Sequence, residues 1–370
     1  MNSEIGQSMQ NKIFKISISI FGICIATVLF KSFCPFFNEF PMPTGKYAVG
    51  IISKHWNNSI LNYEPKERNE FNVQIFYPSN SDKIKKFPYQ PEKIAALKKI
   101  LPKNFVLPSF VWNCLLSNIY SYAQPNALIA DHDNKYPIII YLPGINSEDL
   151  HNLYLEELAS HGYIIVAVEP PMDILVTVFP DNKLIEVDPI LAKAVIENNR
   201  EVIYKYRDKA HERWSKYIEF TISKLKELNE NKTSAFYKKL DVNKIGIMGH
   251  SHGGAVALDF CQKNKLCKAG INMDGWTKTY NSTKYFYVPF LFMLSEGMDQ
   301  PGMNELLKNN QRSNYEQITI QGADHGSFND GILQKNLKRA FGISKKNYNK
   351  IRKEISEKIV SFFDKYLKNT

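Results

Sequence analysis

Lys244-Ile245-Gly246-Ile247-Met248-Gly249-His250-Ser251-His252-Gly253-Gly254-Ala255-Val256-Ala257-Leu258 joins an apolar run to a second apolar run through a tight, glycine-rich turn. The first run reads as a buried strand, Lys244–Met248. The second opens a helix from about Gly253 to Lys263. A strand-to-helix turn this sharp forces Ser251 into a strained backbone conformation, and glycines flank it because a Cβ there would collide with neighbouring elements. The hydroxyl then stands at the carboxyl edge of the sheet, at the positive end of the following helix. The bland alternative is a chance glycine-rich turn, which the strand before and the helix after disfavour.

Working outward, the same alternation of strand and helix recurs. Val73–Tyr77, Ile138–Leu142, Ile164–Val168, Ala269–Met273, Phe290–Leu294 and Tyr315–Ile320 read as further strands. Unbroken apolar runs such as Ile138-Ile139-Ile140-Tyr141-Leu142 belong to strands covered on both faces. Helices are predicted over Leu153–His161, about Arg200–Leu228, and Ile351–Leu367. The pattern predicts an α/β fold, a mostly parallel sheet with helices on both faces. The segment 79–135 reads as an irregular, proline-punctuated insertion beside it.

A serine hydroxyl needs a base and an orienting acid, in this fold class in the order Ser, acid, His, each on a loop after a strand. His55, His132, His151, His161 and His211 precede the serine. His250 and His252 flank it with rings expected to point away. His325, in Gly322-Ala323-Asp324-His325-Gly326 after the last strand, is the base that order and placement leave. Two acids qualify, Asp274 after Ala269–Met273 and Asp299 after Phe290–Leu294. A tetrahedral intermediate also needs two backbone donors. The N–H of His252, next to the serine, is one. The other comes from the loop Pro143-Gly144-Ile145-Asn146, with Ile145 favoured because Gly144 lets the backbone turn inward; read blandly, this is an ordinary strand-ending turn.

The 370 residues carry 47 Lys and Arg against 37 Asp and Glu, a net charge of +10, with 44% hydrophobic residues. That balance excludes a disordered chain and a multi-span membrane protein. The basic residues are dispersed, without the dense run that a nucleic-acid footprint needs, while attraction to anionic lipid stays open. Lys12 and Lys15 precede an uncharged run, Ile16–Phe30, that fits a cleaved export signal or an uncleaved anchor over residues 1–40. The catalytic unit is then 41–370, and the chain is expected to be secreted, periplasmic or anchored. Cys261 and Cys267 are close enough to bridge in an oxidising compartment, and equally read as two buried thiols. No motif implies a cofactor or a metal.

Several segments together resemble the plasma-type platelet-activating factor acetylhydrolases. They are Thr44–Gly50, Phe76–Ser79, Lys135–Pro137, Ala159–Gly162, Val168-Glu169, Gly249–Gly254, Asn272–Trp276, Pro289–Glu296 and the loop at His325. The resemblance implies an α/β-hydrolase fold and a calcium-independent serine phospholipase A2. It selects Asp274 as the acid, 23 residues after Ser251, and Ile145 as an oxyanion donor. The chain departs from the family at Pro143 and at Pro170-Pro171, where a basic pair is usual. The expected substrate is a phospholipid with a short or oxidised sn-2 chain. A broad carboxylesterase or polyester hydrolase is the alternative, and a catalytically silent binding protein is the alternative of another class. Within the insertion, the resemblance puts a membrane-docking helix near Phe105–Tyr120, whose Trp and Tyr suit a lipid interface. The same residues equally suit a helix packed over the sheet or lining an acyl pocket.

Overall fold

The computed structural model describes residues 40–57, 62–104, 109, 112–113, 116–117, 119–131, 135–148, 151–275, 288–298, 314–331 and 344–368. Residues 1–39 of the expected export or anchor segment 1–40, Asp299, Trp276 and much of Phe105–Tyr120 lie outside the described residues. In chain order the elements are β1 (Ala48–Asn57), β2 (Glu70–Ser79), β3 (Phe87–Pro88), α1 (Pro91–Asn104), β4 (Tyr120–Ser121), β5 (Ala123–Pro125) and β6 (Tyr136–Leu142). Then come α2 (Asn152–Ser160), β7 (Ile164–Glu169), β8 (Val176–Val178), β9 (Leu184–Glu186), α3 (Pro189–Ile196) and α4 (Arg200–Glu230). The last are β10 (Leu240–His250), α5 (His252–Lys263), β11 (Cys267–Met273), β12 (Phe290–Ser295), β13 (Tyr315–Ile320) and α6 (Tyr348–Phe363).

Among the described residues, one nine-stranded sheet runs β13-β12-β11-β10-β6-β7-β2-β1-β5. From β13 to β7 every pair is parallel. β2 is antiparallel to both β7 and β1. All seven residues of β6 are buried, and their period of two feeds both faces. Ile138, Ile140 and Leu142 pack with Trp214, Ile218 and Leu225 of α4 and Val256 and Leu258 of α5. Ile139 and Tyr141 pack with Leu155 and Leu158 of α2 and Ile355 and Ile359 of α6. Burial of each large side chain of this kind contributes on the order of 1.5–3 kcal/mol, which pins the register of the strand that leads to the Pro143 loop.

The insertion is more ordered than its prolines imply. Pro91 opens α1, where the missing N–H costs nothing, and Ile94, Leu97, Ile100 and Leu101 are buried at helical spacing. Leu116 is buried in the same core, and Trp112, partly buried, packs against it. Cys261 and Cys267 form a disulfide between the end of α5 and the start of β11. Among the described residues no helix is long and apolar enough to cross a membrane.

Candidate active site

The serine turn is built by steric exclusion. Ser251 has φ 55° and ψ −121°, a conformation costly for any residue with a Cβ. Two glycines make it reachable. A Cβ on Gly249 would lie 2.3 Å from the Gly253 carbonyl carbon, and one on Gly253 would lie 2.3 Å from the Leu142 oxygen. The turn is then tied to both neighbouring strands, Ser251 N–H donating to Met273 O (2.9 Å) and Gly253 N–H to Pro143 O (3.1 Å).

Asp274 follows β11 in a second strained turn, with φ 55°. Asn272 staples that turn by accepting from Gly275 N–H at 2.6 Å. The Asp274 carboxylate is wholly buried and accepts three bonds, from Ser295 N–H (2.8 Å), Ser295 Oγ (3.0 Å) and His325 Nδ1 (2.7 Å). Burial pushes this carboxyl upward, but the bonds from His325 and Ser295 outweigh it and hold it below the usual Asp value. With Nδ1 donating to the carboxylate, His325 Nε2 is left to accept from Ser251 Oγ at 3.1 Å. Ser251, His325 and Asp274 therefore form one hydrogen-bonded chain, which can carry a proton from hydroxyl to imidazole.

The loop expected to supply the second oxyanion donor lies against the serine. A Cβ on Gly144 would be 3.4 Å from Ser251 Cβ. Asn146, at φ 54°, gives its own N–H to Asp173 O at 2.6 Å. Ile145 stands between Gly144 and Asn146 in this loop. His252 opens α5 directly after the serine.

A sequence profile of the family described as platelet-activating factor acetylhydrolase, isoform II, matches residues 37–368. The chain belongs to this family. It is 23% identical over 315 residues to the platelet-activating factor acetylhydrolase of Bos taurus, covering 79% of this chain and 68% of that one. Against the Gallus gallus protein of the same name, identity is 24% over 292 residues, with 70% and 68% covered. The solved structure of a ferulic acid esterase from Streptomyces cinnamoneus superposes with a TM-score of 0.67 at 18% identity, over 90% of this chain and 94% of that one. The fold is thus the α/β-hydrolase fold, and membership of the acetylhydrolase family makes the chain an ester hydrolase.

Histidines near the serine have other duties, as their positions in the turn imply. His250 Nε2 donates to the His325 carbonyl at 3.0 Å, bracing the loop of the base from below. Burial, then the neighbouring His325 and His151, keep His250 neutral. His252 is neutral too, chiefly through burial and then Arg207. His325 itself is half exposed, with 52% of its side chain accessible.

Sequence reasoning missed the braces. Ser295 ends β12 and reads as an ordinary strand residue, yet it supplies two of the three donors to Asp274. Asp330 accepts from Asn152 N–H (2.9 Å), Leu153 N–H (3.0 Å) and Tyr89 OH (2.6 Å), clamping the His325 loop to the start of α2. An Asp five residues past the base gives no signal of this in sequence. A cleft of about 480 Å³ opens among β1, β2 and α1, beside the buried Lys93–Glu169 pair (3.0 Å), and none of Ser251, Asp274 and His325 lines it.

Proposed function

We propose that this chain hydrolyses carboxylic esters through an acyl-enzyme on Ser251, and that its substrates are phospholipids with a short or oxidised sn-2 chain. The Ser251–His325–Asp274 hydrogen-bond chain carries the reaction type. Ser251 Oγ attacks the ester carbonyl while His325 Nε2 takes its proton. Asp274 holds the imidazole in the tautomer that can accept and steadies the imidazolium that forms. The N–H groups of Ile145 and His252 stabilise the developing oxyanion. His325 then returns the proton to the leaving alcohol, and a water activated by the same nitrogen releases the acid.

Family membership supports the phospholipid. The half-exposed His325 equally suits small soluble esters, and this favours a broad carboxylesterase as the second reading. The disulfide supports an oxidising location outside the cytoplasm, in line with an export segment over residues 1–40. The +10 charge supports contact with an anionic lipid surface.

The test is a substrate panel: phospholipids with acetyl, butanoyl and long sn-2 chains beside p-nitrophenyl esters of matched length, with fluorophosphonate labelling in parallel. A preference of kcat/KM for short-chain phospholipid over matched p-nitrophenyl ester supports the first reading. The reverse order selects the carboxylesterase. Absence of both labelling and turnover would point to a catalytically silent binding protein.

A further inference from the structure

Asp173, four residues past β7, is wholly buried, yet it is surrounded by donors. Its carboxylate accepts from Arg68 Nη1 (2.8 Å), Arg213 Nη2 (2.6 and 2.7 Å) and Nε (3.2 Å), Trp214 Nε1 (2.7 Å) and Tyr206 OH (2.8 Å). Arg68 also pairs with Asp188 at 2.7 Å, so two guanidinium groups meet two carboxylates and the cluster carries no net charge. Buried ion pairs of this kind add little to stability compared with apolar packing, because desolvation offsets attraction. What they add is direction: each bond fixes an atom.

The atoms fixed here lead to the oxyanion site from both sides. On one side, the Asp173 carbonyl holds Asn146 N–H (2.6 Å), and Leu175 N–H donates to Ser147 O (2.9 Å), so the segment carrying Asp173 is zipped to the Ile145 loop. On the other, the Trp214 ring stands edge-on to the His252 ring with centroids 4.9 Å apart. Arg207, one helical residue past Tyr206, donates to His252 Nδ1 at 3.4 Å. A single helix, α4, therefore contacts the cluster that holds the Ile145 loop and the residue that presents the second donor. Trp214 does both with one side chain.

We propose that Trp214 and Tyr206 are positioning residues, which act through Asp173 and His252 to hold the Ile145 and His252 N–H groups at the spacing the oxyanion requires. Donors must lie within a few tenths of an ångström of their place to act, and a displacement of 1 Å in a reacting site costs about a hundredfold. The proposal rests on the Ser251 acyl-enzyme reading above.

The experiment uses Trp214→Phe, which keeps an aromatic ring against His252 but removes the N–H, and Tyr206→Phe, which removes only the phenol hydroxyl. Asp173→Ala is set aside because it would leave two guanidinium groups buried without a counter-charge. Steady-state kinetics on p-nitrophenyl acetate are measured at 15 °C, well below each variant's melting temperature. Each variant is expected to lose roughly tenfold in kcat with KM within twofold. Fluorophosphonate labelling at Ser251 is expected to slow by a similar factor, since the phosphonyl transfer also builds charge on an oxygen facing those donors. Unchanged kcat in both folded variants overturns the proposal, as does a loss appearing only as raised KM. If parent protein fails to label while Ser251→Ala keeps its turnover, the acyl-enzyme reading itself has failed, and this proposal with it.

Discussion

At the scale of single residues, the site divides into groups that react and groups that hold them. Ser251→Ala and His325→Ala are each expected to lower kcat by roughly 10⁴-fold or more, and the double variant no further, because the two act as one unit. Ester turnover by the three proteins checks this, and retention of most activity by either single variant would sink the assignment. Ser295→Ala tests a finer point. It removes one of three bonds to the buried Asp274 carboxylate while the Ser295 N–H remains. A bond to a charged group is worth about 1.5–3 kcal/mol, so a tenfold or somewhat larger fall in kcat is expected, with His325→Ala still far worse. Gly253→Ala is a third case: its Cβ would sit 2.3 Å from Leu142 O and 2.4 Å from Pro143 O. Both are backbone atoms that cannot swing aside, so the protein is expected to lose activity and several degrees of melting temperature together. Ser251 and His325 were legible because glycine spacing and chain order constrain them. Asp274 and Asp299 could not be separated by residues alone, since both follow a buried strand. The left-handed turn at Asp274 and its bond to His325 are properties of backbone geometry that sequence does not display.

At the scale of elements, legibility follows how locally each element is specified. β6, β7 and β11 are short apolar runs bounded by turn residues, and each lies where its sequence places it, whereas β10 runs beyond the expected Lys244–Met248 at both ends, from Leu240 to His250. β1 is different: Ala48–Asn57 mixes His55 and Lys54 with apolar residues, and its strand state comes from antiparallel pairing with β2. The helix α1 was hidden by prolines at both ends of its neighbourhood. α2 carries a buried acid, Glu156, that no pattern flags, and it offers a prediction with a sign. Burial raises its pKa from the ordinary Glu value to about 8, opposed by bonds from Tyr122, Ser121 and Asn152. Between pH 4.5 and about 8 the folded state therefore keeps a proton that the unfolded chain has released. The unfolded state then binds fewer protons, so stability falls as pH rises through this window. Glu156→Gln removes the titration, and the melting temperature of the variant is expected to depend less on pH between 5 and 8 than that of the parent. At pH 8 the variant should be the more stable by on the order of 2–4 kcal/mol. An unchanged pH slope would show that Glu156 is solvated in the folded protein.

At the scale of the whole molecule, the nine-stranded sheet of the described residues brings six loops to one carboxyl edge, those after β6, β7, β10, β11, β12 and β13. The hydrophobic pattern dictates that sheet, which is why the fold could be read early. Contacts between loops, such as Asp173 to Asn146 or Asp330 to α2, join residues 27 and 178 positions apart; nothing local announces them. Charge acts at the same scale. An excess of ten positive charges should draw the protein to anionic membranes, with each lysine near the surface contributing about 1 kcal/mol at low salt. Because Leu116 is buried and Trp112 is partly buried against the core, these two leave little apolar surface for insertion, and the attraction should be chiefly electrostatic. Binding to vesicles with a third phosphatidylserine is therefore expected at 50 mM salt and to be largely lost at 500 mM, where the screening length shortens to a few ångströms. Vesicles of phosphatidylcholine alone should bind little at either salt. Flotation measures all four conditions. Binding that survives 500 mM salt, or that is equal on both lipids, would mean that inserted apolar side chains make the contact.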